Sequence, residues 1–208
     1  MRVTPKASRS RPRSRGQPCH RSNSSAGLCR RVDASLLHYI LAAVVVPEDD
    51  CPGARAELSQ LLLGKQCALH WRTERPSRRE WIVTTIRSLP VRSLVVVGTM
   101  TNPRRQERAR RLVLGRLLHC LDERQVSLAV LESRHAERDR NDLKALGAFR
   151  NQRVVSRRLL VTQGHPIQEP MLWAADAVAG AAGDRACGQP ACWDVLSGLT
   201  ELIDVGEV

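Results

Sequence analysis

Apolar runs rich in Val, Leu and Ile alternate along the chain with longer stretches in which apolar residues recur every three or four positions. His38 to Val46 is a continuous β-rich run closed by Pro47, the pattern of a strand buried on both faces. Ala54 to Leu63 reads as a short helix stopped by Gly64, residues 67 to 71 as a short strand, and Ser77 to Ser88 as a helix with Ser77 and Glu80 in capping-box spacing. Val91 to Thr101 is a second strong strand. From Arg104 to Glu123 follows the clearest helix, with Ala109, Val113, Leu117 and Leu121 recurring on one face. Val126 to Leu131 predicts a third strand, Arg138 to Phe149 a polar helix, and Val154 to Thr162 a further strand. A helix then opens at Glu169-Pro170, with proline in the tolerated first turn, and a short helix is expected from Ala191 to Leu202. Strands alternating with helices imply an α/β layered sheet.

Composition narrows this picture. The chain is 42% hydrophobic but only 3% aromatic, so its core must be aliphatic, with Trp71, Trp81, Trp173 and Trp193 as the few large pieces. A length of 208 residues suits one domain, placed at 29–208. Of the formal net charge of +12, nine positive charges come from Arg2, Lys6, Arg9, Arg11, Arg13, Arg15, Arg21, Arg30 and Arg31, which leaves +3 for the rest of the chain. Residues 1–28, an alternation of Arg, Ser, Pro and Gly, carry too little apolar surface to offset the entropy of ordering and are expected to form a disordered basic tail. Such a tail is a nucleic-acid arm or simply a solvated extension.

Seven cysteines in no C-x-x-C arrangement suggest free thiols rather than a zinc site, although Cys187 and Cys192 could close a small loop. No apolar run reaches the roughly 18 residues of a membrane span, and the arginine-rich start lacks the apolar stretch of a secretory signal, which places the protein in the cytoplasm.

The candidate chemistry is carried by acids at the ends of buried elements. Asp33 precedes the first long strand, Glu132 closes the strand at Val126 to Leu131, and Asp176 sits among Trp173, Ala175, Ala177 and Ala179 on a helix suited to close packing. An unpaired carboxylate there would cost several kcal/mol. It needs an arginine, a set of donors, or a divalent cation shared with other carboxylates. Glu169 shares the Asp176 face two turns earlier, and Asp142 follows Glu132 at loop distance, with Asp139 a weaker competitor. Hard cations such as Mg²⁺ prefer carboxylate oxygens, and two of them about 4 Å apart can activate water and stabilise the leaving oxygen of a phosphodiester. The arginines Arg104, Arg105, Arg108 and Arg111 on the long helix form either a solvated face or a ridge that contacts nucleic-acid phosphates.

Val32-Asp33-Ala34-Ser35, His38 to Val46, Leu131-Glu132-Ser133-Arg134 and Glu169-Pro170-x-Leu172-Trp173-x-Ala175-Asp176, in this order, resemble an uncharacterised bacterial family known as domain of unknown function 3800. The resemblance spans about Val32 to Gly183. It implies a ribonuclease H-like mixed sheet flanked by helices, with acids on the first strand, a central strand and the last helix. Carried over, these are Asp33, Glu132, Asp142 and Asp176, of which Asp33, Glu132 and Asp176 are the implied Mg²⁺ or Mn²⁺ ligands and Asp142 a fourth ligand or water-orienting base. Leu69-His70-Trp71 with Glu74 and Arg78 resembles a His-aromatic segment of the family, which makes His70 and Glu74, with Glu169, candidates to line the site. Ala34 stands where the family carries glutamate. The expected activity is divalent-metal-dependent phosphodiester hydrolysis on DNA or RNA. The rival expectation is a catalytically degenerate module of the same fold that binds nucleic acid or another protein.

Overall fold

The computed structural model describes residues 37–208; the basic tail expected at residues 1–28, and Asp33 with the segment around it, lie outside the described residues. β1 (Leu37–Val45) pairs antiparallel with β2 (Arg92–Met100), with Leu37 opposite Met100 and Val45 opposite Arg92. On its other side β2 pairs in parallel with β5 (Thr200–Glu207). A separate parallel pair joins β3 (Leu128–Glu132) to β4 (Leu160–Gly164). The three-stranded sheet therefore runs in the order β1-β2-β5 and the second sheet has two strands.

Helices cover both faces of the larger sheet, as the alternation along its strands requires. Ile40, Ala42 and Val44 of β1, with Val95 and Val97 of β2, face one apolar cluster. That cluster is completed by α1 (Cys51–Ser59), α2 (Pro76–Ser88), α5 (Met171–Ala186) and α6 (Ala191–Leu196). Tyr39, Leu41, Ala43 and Val45, with Leu94, Val96 and Met100, face the other cluster. There they meet α3 (Gln106–Glu123), α4 (Ala136–Asn151) and the inner residues of β3 and β4. The result is a mixed α/β architecture, as the alternation of strands and helices implied.

Several elements depart from the sequence pattern. Residues 67–71 form no strand: the chain runs irregularly to a single 3₁₀ turn at Trp71–Thr73. The Trp71 backbone N–H donates to Asp176 Oδ2 at 2.9 Å and its indole Nε1 to Asp184 Oδ2 at 2.9 Å, so the segment is pinned to α5 instead of to a strand ladder. The capping box also fails. Pro76 starts α2 one residue early, leaving Arg75 at the N-cap without a side-chain cap, and Ser77 falls inside the first turn. The helix expected at Ala191 to Leu202 ends at Leu196, passes through a 3₁₀ turn at Ser197–Leu199 and becomes β5. Thr200, Ile203 and Val205 are its half-buried residues, too few to announce a strand locally. β4 starts at Leu160, six residues later than expected, because Val154 and Val155 belong to the turn after α4.

Cys51, Cys67, Cys120 and Cys192 are free thiols. Cys187 departs from the free-thiol expectation, being disulfide-bonded, but not to Cys192. Among the described residues no helix is long and apolar enough to cross a membrane.

Candidate active site

β1, β3 and two helices line a cleft of about 1150 Å³. One wall is β1 and its extension, Ile40 through Val46, and the facing wall is β3 with the two residues before it, Val126 through Glu132. The flanks are α3, through Arg110, Leu114, Leu117, Leu118 and Leu121, and α5, through Met171, Leu172, Ala175, Asp176 and Ala179. The volume lies slightly above the roughly 300–1,000 Å³ usual for small-ligand pockets.

Glu132 is the last residue of β3 and Asp176 lies in the second turn of α5, and both line this cleft. Burial pushes the Glu132 carboxyl up to about 7, and the negative charge of Asp176 pushes it in the same direction, while the Arg110 and Arg134 guanidiniums pull it down. Two of the four predicted acids are therefore close enough to repel one another in a partly dry site. Asp176 is held by the Trp71 amide, and small neighbours at Ala175 and Ala179 let α5 approach the sheet closely enough to present it.

Asp142 is placed differently. It is buried on α4, with both oxygens engaged by Arg110, whose Nε donates at 2.9 and 3.2 Å and whose Nη2 donates at 2.7 Å. Arg134 Nη2 adds two bonds at 3.1 Å. This clamp supplies Asp142 with charge compensation on the spot, and its partners Arg110 and Arg134 are the cations that also act on Glu132. The arginines thus tie Asp142 electrostatically to the acid pair without adding its carboxylate to it. Asp139, buried at the start of α4, accepts from Ser133 Oγ at 2.7 Å and from the Arg134 amide at 2.8 Å, which fixes the loop leaving Glu132.

Glu169 also lines the cleft, but Arg55 holds its carboxylate through bonds of 2.9, 3.1 and 2.8 Å, and the Met171 amide donates to it at 3.1 Å. His70 and Glu74 are not among the residues that line the cleft. His70 carries the carbonyl that accepts from Thr73, and Glu74 is buried between Gln66, at 3.1 Å, and Arg78, at 3.7 Å. Arg104, Arg105, Arg108 and Arg111 are all exposed. Among the described residues no group of three or more His, Cys, Asp or Glu side chains is placed to hold a metal ion.

Arg110 is the site residue that sequence reasoning missed. It lies one position beyond Ala109 on the apolar side of α3, where it also donates to Tyr39 Oη at 3.4 Å. The surrounding run of exposed arginines hid it. Its only signal was an arginine one helical turn before Leu114 and two turns before Leu117.

Comparison with protein-family models, with curated proteins and with solved structures finds no match for this chain.

Proposed function

We propose that the protein is a divalent-metal-dependent phosphodiesterase acting on nucleic acid, built on a ribonuclease H-like sheet, with Glu132 and Asp176 as two carboxylate ligands for Mg²⁺ or Mn²⁺. What supports this reading above all is the half-buried pair lining the cleft, in which burial, and after it the charge of Asp176, raises the Glu132 carboxyl to about 7. A pair of carboxylates in mutual repulsion within a partly buried cleft is the kind of donor set that a hard cation satisfies. The bound ion would supply the polarisation of a phosphate oxygen and of the attacking water.

The chain's own residues have separable tasks in this reading. Glu132, fixed at the end of β3, and Asp176, fixed by the Trp71 amide, present oxygens from two different elements. Arg110 and Arg134 keep Glu132 ionisable, and Asp142 keeps those two arginines in place. Asp33, carried over from the family resemblance, is proposed as the third ligand.

Titration calorimetry with Mn²⁺ on the full chain tests the assignment. Binding in the wild type that disappears in Asp176→Asn and in Glu132→Gln, with metal-dependent cleavage of DNA or RNA lost in parallel, is the expected result. A demonstrated metal-dependent nuclease activity that survives Asp176→Asn overturns it.

A further inference from the structure

Trp81 is the exception among the tryptophans. Trp71, Trp173 and Trp193 are 2%, 3% and 5% exposed, whereas Trp81, in the second turn of α2, is 47% exposed. An indole left in water forgoes the burial that its large area would otherwise gain. Its placement is also fixed from below. The Arg78 guanidinium carbon lies 4.2 Å from the ring centroid, and the Arg78 side chain is itself only 10% exposed, with its Nε 3.7 Å from the buried Glu74 carboxylate. Glu74 in turn accepts from Gln66 Nε2 at 3.1 Å. With one face on this guanidinium, the indole turns its other face and its edges to solvent.

The surroundings are cationic. Of the 33 basic and 21 acidic residues of the chain, nine basic residues and Asp33 precede Leu37, which leaves 24 against 20 in the described part. Residues 65–87 alone hold six against two, so the net charge of the described part falls on this stretch and the rest is balanced. Lys65, Arg72, Arg75 and Arg87 are exposed, and of the two acids only Glu80 is. Arg75 stands at the N-cap of α2 and the first turn carries no acid, so the positive end of the helix dipole adds to the same field. Ser77, Thr84 and Ser88 are the exposed residues that share the Trp81 face of α2, so hydroxyls rather than apolar side chains continue the surface around the indole.

We propose that Trp81, backed by Arg78, is a stacking platform for an unpaired base of single-stranded nucleic acid, with Lys65 and Arg75 meeting its phosphates. A flat indole in a cationic field suits a ligand that is planar at one point and anionic at the next, and a nucleotide strand is both. A duplex keeps its bases stacked inside, out of reach of a surface indole, so the platform selects single strands. A bilayer would need an apolar face to receive, and the hydroxyls beside Trp81 give it none. An acidic peptide would answer the charge but not the exposed ring. Trp81 and Arg78 are not among the residues that line the cleft. The inference therefore rests on the function proposed above only for the class of partner, which it narrows to single strands, and not on the metal site.

Fluorescence anisotropy with a labelled oligo(dT) of about 12 nucleotides, on the full chain in EDTA at low salt, tests this. Trp81→Leu is expected to weaken binding about fivefold or more and Trp81→Phe to keep most of it, while neither changes the affinity for a duplex of the same length. The basic residues before Val32 are common to all three proteins, so their contribution cancels in the comparison. Quenching of the wild-type tryptophan emission by unlabelled oligo(dT) is expected as well, and it needs no variant, because the other three indoles are buried. Unchanged affinity in Trp81→Leu, an equal loss on the duplex, or an emission that responds to phosphatidylserine vesicles and not to oligo(dT) overturns the proposal. Failure of Mn²⁺ to bind would count against the metal site alone, since EDTA removes metal from every one of these measurements.

Discussion

Glu132 carries its proton about two and a half pH units higher in the folded protein than an ordinary glutamate would, because of burial first and Asp176 second. Between about pH 4.5 and 7 the folded state therefore holds a proton that the unfolded chain has released, so stability falls as pH rises through that window. The loss amounts to at most roughly 3 kcal/mol, is absent below the window and complete above it. Glu132→Gln should abolish this slope: urea unfolding at pH 8 should find the variant more stable than the wild type, and at pH 4 the gain should be gone. The Arg110–Asp142 pair is a different case, in which both charges are buried and each compensates the other. Asp142→Ala strands Arg110 and Arg134 and should cost about 3–5 kcal/mol, whereas Arg110→Met with Asp142→Leu, which leaves Arg134 to Glu107, should recover part of it. Denaturation of the single and double variants under one set of conditions checks this, and equal losses in both would refute the clamp.

At the scale of elements, α5 depends on a close approach that one residue permits. A Cβ on Gly180 would overlap the Trp71 indole, which is held in place by Asp184 and stacked under Arg79 at 5.0 Å. Gly180→Ala should destabilise by about 1–3 kcal/mol or more. It should also weaken the Trp71-to-Asp176 contact, so Mn²⁺ affinity is expected to drop with it; calorimetry and thermal unfolding on the same sample measure both. Most elements were legible in the sequence where their own residues carried a period: the strands around Leu41 and Val96, the α3 stripe Ala109, Val113, Leu117 and Leu121, and the alanine-rich α5. What the sequence hid was set by distant partners. The Trp71 segment looked like a strand until Asp176 and Asp184, more than a hundred positions away, took its donors. β5, with exposed Glu201, Leu202 and Asp204, is a strand only because β2 offers it a ladder. Of the site, the order of acids pointed to Glu132 and Asp176, but it could not show that Arg110 and Arg134 claim Asp142 or that Arg55 claims Glu169.

The whole molecule divides its charge unevenly, with nine positive charges before Val32 and exposed arginines at 104 and 105 in the 3₁₀ turn before α3 and at 108 and 111 on α3 itself. Replacing those four by serine should shift unfolding by no more than about 0.5 kcal/mol each, since none is buried. If α3 and the turn before it contact phosphates, the same variant should flatten the dependence of log affinity for DNA or RNA on log salt by roughly three to four; filter binding at a series of NaCl concentrations gives the slope. The order in which the molecule assembles is a separate matter, and it follows from the pairing of β2 with β5. β1 meets β2 across a connection of fewer than fifty residues, but Ser93 meets Thr200 only after more than a hundred. Closing that longer loop must precede any reward from the contact, so the β2–β5 ladder should form late and the β1–β2 pair early. Until it does, β2 has an open flank, and in that interval a folding chain is most exposed to pairing with its neighbours.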